Sequence, residues 1–235
     1  MEEIIEDIFE INHRVSFNLW NITDIKHRPR GLSPRLVLPQ KRSGDIRISE
    51  QEARILYCST LNTVNYYYSI ETPTEEVYQQ TGLTPVSASS DLSLYIDSGE
   101  DFKKVANVEF KAHNVNMEQI RKDIEKLIKE GITGNWFHTL KNIDSATLPS
   151  LFEKFKQSFE DCCHLIKNEL SIVFCFCIIE KEWSCIKHFD YDQAKGNIRD
   201  YVEDFFRLDY SVKSDKIEIK NKNAWNLIEK GKGLY

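Results

Sequence analysis

The chain has 235 residues, of which 41% are hydrophobic and 29% are charged, and such a composition is that of an ordinary globular protein. The length suits one good-sized domain, and a net charge of −6 does not mark the whole chain as a nucleic-acid-binding protein. The first residues are acidic and lack a continuous apolar stretch, and the longest apolar run, 172–179, is far shorter than the ~20 residues that span a bilayer. We therefore expect a cytoplasmic protein that does not associate with membranes.

The six cysteines contain no C-x-x-C pair. A zinc site formed by Cys162, Cys163, His164 and Cys185 is conceivable, but its spacing matches no common zinc motif. Three cysteines fall in or near an apolar run and two lie in a segment rich in phenylalanine. We interpret the cysteines as free thiols that pack as small hydrophobic side chains.

The N-terminal part combines helix signals with a basic segment. Apolar residues at helical spacing predict a short amphipathic helix over 3–11, and 17–22 predicts a strand or an anchoring segment. Between 24 and 47 there are seven basic and two acidic residues, interspersed with three prolines, which predicts an extended basic arm. Such an arm either lies along phosphates or is a solvated linker. The candidates for contact with a nucleic-acid backbone are Arg28, Arg30, Arg35, Lys41 and Arg42.

Two capping patterns follow the basic segment. Ser49 and Glu52 form a capping box, which predicts a long helix over 50–68. A second capping pattern begins at Thr72 and predicts another helix that ends at Gly82.

The stretch 90–113 has the pattern of a β-hairpin. Apolar and polar residues alternate in SDLSLYI and again in VANVEFKAHN, and the polar, glycine-containing DSGEDFKK lies between them. Alternation on both sides of such a break predicts two half-buried antiparallel strands. The pairing places Asp91 opposite Glu109 or Lys111, with Phe110 turned toward the core.

The rest of the chain predicts further helices around a buried strand. The apolar run 172–179 is typical of a central strand covered on both faces, and 183–189 is predicted to pair with it. The other predicted elements are helices at about 117–130, from about 149 and around 198–206, and a hairpin over 210–220. We expect the polar face of the helix at 117–130 to be solvated and internally paired.

These elements predict an α/β fold in which a mixed central sheet carries the antiparallel hairpin and has helices on both faces. The predicted organisation is an N-terminal helix and basic arm at 1–48, a core at 49–190, and a C-terminal helix and hairpin packed on the core at 191–235.

The hairpin brings together residues that suit metal-dependent hydrolysis. Two carboxylates held close repel each other, and one pKa rises unless a cation lies between them. Mg²⁺ suits Asp91 and Glu109 because it is a hard ion that takes oxygen ligands, retains several waters and accepts phosphate oxygens. Lys111 can hold or help deprotonate an attacking water and can offset charge in the transition state. The pattern indicates phosphodiester hydrolysis with Mg²⁺ as cofactor and Mn²⁺ as its substitute.

Asp91 followed by Glu109-Phe110-Lys111 resembles the PD-(D/E)XK signature of the restriction-endonuclease-like nucleases, and the resemblance covers roughly 49–180. It implies that Asp91 and Glu109 bind the metal and that Lys111 serves the nucleophilic water. It also implies a fold in which these residues lie on adjacent antiparallel strands, behind one helix and followed by another. Ser90 stands where the signature has proline, so the first half of the motif is incomplete. The implied substrate is DNA, with RNA not excluded, and the implied role is restriction or antiphage defence.

Related nucleases often draw a further acid from the preceding helix. Glu71 is favoured over Glu52 as a further metal ligand and catalytic carboxylate, because the capping box already uses Glu52. His113 is a candidate for phosphate contact or for an auxiliary base, or is a hydrogen-bonded surface residue.

Two other hypotheses about function stay open. One is a nuclease subunit controlled by a helicase or other ATPase, and the other is a non-catalytic binding module on a degenerate nuclease fold. Paired cutting of a duplex would require a homodimer or two active sites.

Overall fold

A computed structural model describes residues 2–23, 36–39, 41–44, 46–78, 86–144, 146–167, 169–192, 196–207, 210–213, 216–219 and 225–231. The helices are α1 (Glu2–Thr23), α2 (Glu50–Leu61), α3 (Met117–Glu130), α4 (Thr147–Cys162) and α5 (Ile198–Phe205). The first five strands are β1 (Tyr67–Tyr78), β2 (Val86–Asp97), β3 (Phe102–Ala112), β4 (Thr133–Leu140) and β5 (Glu169–Ile178). They are followed by β6 (Trp183–Asp192), β7 (Tyr210–Lys213), β8 (Lys216–Ile219) and β9 (Asn226–Glu229).

Seven of these strands form one mixed sheet in the order β1-β2-β3-β4-β5-β6-β9. The first three pair antiparallel, β3, β4 and β5 run parallel, and β6 and β9 are again antiparallel. The chain passes through α3 and α4 to make the two parallel connections. Strands β7 and β8 form a separate antiparallel hairpin, as predicted. The general α/β class and the mixed sheet are therefore confirmed.

Helices cover both faces of the sheet, and each face has its own hydrophobic core. On one face α1 and α2 pack over buried residues of β2 to β6. On the other face α3, α4 and α5 pack over alternate residues of the same central strands. Strand β5 is buried along nearly its whole length, because it pairs on both sides and is covered above and below. Among the described helices, none is long and apolar enough to cross a membrane.

Local capping signals set several boundaries where the sequence placed them. Ser49 and Glu52 form the predicted capping box of α2. Helix α3 begins at an Asn116 capping box and ends at Gly131, whose φ of 64° lies in the left-handed region that glycine adopts without strain. All six cysteines are free thiols, and the interpretation as small hydrophobic side chains of the core is confirmed for the four that are buried. Cys58 and Cys163 are only partly buried.

The segment from 62 to 78 corrects two helix predictions. The helix predicted over 50–68 is too long, because α2 ends at Leu61 in a turn, and Tyr67 and Tyr68 belong to β1. The helix predicted from Thr72 is also wrong, because Thr72 and Pro73 lie in β1, opposite Ser90 and Ser89. Since β1 is the edge strand of the sheet, it can accommodate a proline that donates no hydrogen bond. Pairing with β2 therefore overrides the local capping signal.

Other elements were predicted only in part. The short helix at 3–11 and the strand or anchoring segment at 17–22 are a single helix, α1, whose buried face includes Val15, Leu19 and Trp20. Strands β4 and β9 were not predicted. Strand β4 is buried at every position, so it lacks the polar alternation that identifies a half-exposed strand.

A buried amide pair fixes α1 against the sheet. The Asn12 side chain on α1 and the Asn135 side chain on β4 exchange two hydrogen bonds of 2.9 Å, and Asn135 also donates to the Tyr57 hydroxyl at 3.1 Å. Both asparagines are fully buried. Their hydrogen bonds satisfy polar groups that would otherwise destabilise the core.

Asn12→Leu should lower the free energy of unfolding by about 1–3 kcal/mol, because it leaves the Asn135 amide buried with an unpaired group. The double variant Asn12→Leu/Asn135→Leu should lose less than the sum of the two single variants. Urea unfolding of the four proteins in the cycle measures this coupling. Strictly additive losses would show that the amide pair does not hold α1 to the sheet.

Candidate active site

The β2–β3 hairpin has the predicted register. Leu92 pairs with Val108, and the next residues along the two strands are Asp91 and Glu109. Here the ladder of paired residues ends, and the Asp91 carboxylate accepts the Phe110 backbone N–H through Oδ2 at 2.8 Å. The Phe110 ring lies in the core with its centroid 5.4 Å from that of Tyr57. The inward orientation predicted for Phe110 is therefore confirmed, and Asp91 and Glu109 are next in register beyond the last paired residues.

Glu109 lies on the side of β3 opposite to Phe110, beneath α3, and its exposed fraction is 0%. Its Oε2 accepts a hydrogen bond from the Lys126 ammonium at 2.7 Å. Its Oε1 is also buried but has no hydrogen-bond partner among the described residues. Burial raises the pKa of the Glu109 carboxyl above its ordinary value, and the nearby Asp123 and Asp91 carboxylates act in the same direction.

Helix α3 contributes two site residues that the sequence analysis missed. Lys126 is only 4% exposed and donates to Glu109, to Asp123 Oδ1 at 2.8 Å and to the Ser89 carbonyl at 3.0 Å. The prediction that this helix face is solvated is therefore wrong for Lys126. One sequence signal identifies its neighbour: Asp123 falls at the spacing of the apolar stripe formed by Ile120, Ile124 and Leu127. A carboxylate in such a stripe is placed where a core side chain is expected.

Lys111 joins the two carboxylate-bearing strands to α3. Its ammonium lies 2.7 Å from Asp123 Oδ2, donates to the Phe110 carbonyl at 2.9 Å, and is 4.0 Å from Asp91 Oδ2. Burial lowers the pKa of Lys111, but the Asp123 and Asp91 carboxylates more than offset this effect and raise it above the ordinary value. Lys111 is therefore a positively charged donor at neutral pH. Of the two roles predicted for it, holding a water is the one that fits this charged state.

Helix α2 supplies an arginine and β1 supplies a carboxylate to the same cluster. The buried Arg54 guanidinium donates to Asp91 Oδ1 at 2.9 Å and to Glu71 Oε1 at 2.6 Å. Glu71 has a φ of 52° and a side chain that is 59% exposed, so it borders the site and is linked to Asp91 through Arg54. Glu52 serves the capping box, as the sequence indicated.

The helix carboxylate close to the other charged groups is Glu50, which the sequence analysis did not single out. Burial raises the pKa of Glu50, and Asp91 and Asp123 add to this effect, while Lys111 opposes it. Glu50 begins α2, next to the capping box, so its distance from Lys111 depends on how α2 packs on the sheet. No local pattern specifies that packing.

The other predicted site residues have different surroundings. His113 has a left-handed φ of 60°, and its ring Nε2 lies 2.7 Å from the Ile48 carbonyl. Its backbone N–H and carbonyl are hydrogen-bonded to Thr139 and His138. His113 thus fastens the end of β3 to the segment before α2. Of the predicted phosphate-contacting cations, Lys41 and Arg42 are exposed in a turn, and Arg28, Arg30 and Arg35 lie outside the described residues.

The donors in this cluster suit a hard cation, but most of them already pair with protein cations. Five carboxylates surround three cations, so the cluster has an excess of negative charge when all of these groups are ionised. The carboxylates are those of Glu50, Glu71, Asp91, Glu109 and Asp123, and the cations are Arg54, Lys111 and Lys126. In the described ranges no group of three or more His, Cys, Asp or Glu side chains is spaced as a formed metal site. The buried, unpartnered Oε1 of Glu109 beside Asp91 nevertheless fits an oxygen-seeking ion such as Mg²⁺.

Comparison of the chain with protein-family models, with curated proteins and with solved structures finds no match. Function is therefore inferred from the geometry and charge of this cluster.

Glu109→Gln should change how stability depends on pH in metal-free buffer. The pKa of Glu109 is raised on folding, so between the ordinary carboxyl value of 4.5 and the raised value the unfolded chain has lost a proton that the folded chain keeps. The wild-type protein should therefore lose stability relative to Glu109→Gln as pH rises through this window, by up to ~1.4 kcal/mol per pH unit. Urea unfolding from pH 5 to 8 with EDTA measures the difference. If the difference in unfolding free energy between the two proteins stays constant with pH, or changes in the opposite direction, folding does not raise the pKa of Glu109.

Proposed function

We propose that this protein is a divalent-metal-dependent nuclease of the restriction-endonuclease-like, PD-(D/E)XK class and that it hydrolyses phosphodiester bonds in DNA. One observation carries the proposal: Asp91 and Glu109 are the neighbouring residues at which the paired part of the β2–β3 hairpin ends, with Lys111 two residues further along. The unpartnered buried oxygen of Glu109 adds a vacant acceptor at this point.

The order of elements supports the same proposal. Helix α2 precedes three antiparallel strands, α3 follows them, and β4 then pairs parallel to β3. The family resemblance implies the acidic residue and the E-x-K triplet on adjacent antiparallel strands between two helices. The exposed basic side chains of Lys41 and Arg42 precede this unit and are available for phosphate contacts.

In this proposal Asp91 and Glu109 would hold Mg²⁺, for which Mn²⁺ can substitute. When bound, the ion would act as a Lewis acid that polarises a phosphate oxygen and lowers the pKa of a nearby water. Arg54 and the Phe110 N–H hold the Asp91 carboxylate in one orientation. The charged Lys111 ammonium positions the attacking water and offsets negative charge that develops on the phosphate. Substrate has access from the more exposed side of the cluster, at Glu71.

Glu109→Gln and Lys111→Met should each reduce Mg²⁺-dependent cleavage of plasmid DNA by about 10²–10⁴-fold, because each removes a group that acts on the reacting phosphate or water. Glu118→Gln and Lys122→Met, which change exposed residues of α3, serve as matched controls and should cut at the wild-type rate. Circular dichroism and thermal unfolding establish that all four variants fold. Wild-type cleavage rates in both site variants would refute the assignment.

One feature of the cluster favours a second candidate, a nuclease-fold subunit that a partner activates or uses only for binding. Both oxygens of Asp91 accept hydrogen bonds from Arg54 and Phe110, and those of Asp123 pair with two lysines. Because protein groups pair with these carboxylates, the cluster is stable without a metal. A helicase or other ATPase that shifts α3 or α2 would release these carboxylates.

The second candidate predicts that the isolated protein does not cut DNA with Mg²⁺ or Mn²⁺, whereas the complex purified with its native partner does. The complex carrying Glu109→Gln is the control and should be inactive. Equal cleavage by isolated protein and complex would exclude control by a partner. An inactive complex, together with a melting temperature that Mn²⁺ does not change, would identify a non-catalytic binding module.

A further inference from the structure

We infer that the Lys126 ammonium fills one cation position of the carboxylate cluster, so that the site takes a single divalent ion rather than two. The inference rests on the proposed metal-dependent function and specifies how many ions that function uses. It concerns a residue of α3 that lies outside the hairpin motif.

The surroundings of Lys126 resemble those of a bound cation. Its nitrogen lies 2.7 Å from Glu109 Oε2, 2.8 Å from Asp123 Oδ1 and 3.0 Å from the Ser89 carbonyl oxygen. These three oxygens come from β3, α3 and β2, so the position is enclosed by three separate elements. An ammonium has three N–H donors, and here each has an oxygen partner.

Lys126 also has a reason to remain charged and in place. Its exposed fraction is 4%, so moving it away from its partners would leave a buried charge uncompensated. Its two carboxylate partners lie 2.7 Å and 2.8 Å from the ammonium and stabilise its positive charge. A divalent ion that took this position would have to displace a fully hydrogen-bonded ammonium.

The remaining carboxylate oxygens provide for one further ion. Both oxygens of Asp123 are occupied, one by Lys126 and the other by Lys111. Asp123 therefore holds the lysines and is not available as a ligand that bridges two metals. The Oε1 of Glu109 has no partner among the described residues, and it remains as one donor for a further ion. The other donor is Asp91, which also accepts two hydrogen bonds but pairs closely with one cation, Arg54, and is more exposed than Asp123 (17% against 8%). Together they provide for a single ion.

Mn²⁺ binding to the full-length protein without substrate tests this inference, with electron paramagnetic resonance used to count free and bound ions. Wild type should bind one Mn²⁺ per chain, and Lys126→Met should bind two, because it removes the charge from the Glu109–Asp123 position. Lys129→Met is the matched control, since Lys129 lies on the same helix but pairs with Glu125. This control should bind one ion. Lys126→Arg, which keeps the charge, should also bind one.

Each outcome separates the inference from the proposed function. Two ions in wild type would overturn the single-ion inference, and one ion in both wild type and Lys126→Met would overturn the assignment of a cation position to Lys126. Either result leaves the metal-dependent function standing. No ion in wild type but one in Lys126→Met would overturn native metal dependence and support Lys126 as the occupant of a cation position. No ion in either protein would overturn both. If Lys126→Met does not fold, Lys126→Gln removes the same charge but keeps an amide donor, and the same ion counts are expected.

Discussion

Every charge buried between the β2–β3 hairpin and α3 needs an opposite charge nearby, and this requirement determines how the two elements meet. Glu109 is fully buried and depends on Lys126, which in turn depends on Asp123. Asp123 also holds Lys111, which approaches Asp91. Loss of any one member would leave its partner charged in a medium that solvates it poorly. The apolar stripe of α3 packs the helix on the sheet, and the ion pairs determine how the helix is oriented there.

The sequence predicted those parts of the fold that depend on local information. Alternation revealed the hairpin because β2 and β3 are adjacent in the chain and each has one polar side. The capping box of α2 was recognisable because its hydrogen bonds join residues three positions apart. Strand β4 pairs with β3 and β5 and is buried throughout, so its residues carry no local sign of their partners. The capping pattern at Thr72 misled because edge-strand pairing with β2 outweighs a single helix signal.

The candidate site shows the same division. Asp91, Glu109 and Lys111 follow from strand period and register alone, which are local properties. Arg54, Glu50, Asp123 and Lys126 join them only because α2 and α3 pack at particular angles on the sheet. Of these four residues, only Asp123 is recognisable in the sequence, because it is an acidic residue at the spacing of an apolar stripe. Charged residues on an amphipathic helix look alike in sequence, whether they face water or a buried carboxylate.

The members of the charged cluster all come from one continuous part of the chain, which runs from the start of α2 to α3. By contrast, α1 meets β4 through a pair of asparagines that are 123 positions apart. Contacts between nearby residues cost less loop-closure entropy than distant ones, so the polar unit is favoured at an earlier stage of folding than the docking of α1. The chain therefore separates two tasks. A short-range unit brings the charges together, and the long-range packing of α1 adds apolar enclosure on the face of the sheet that α2 also covers.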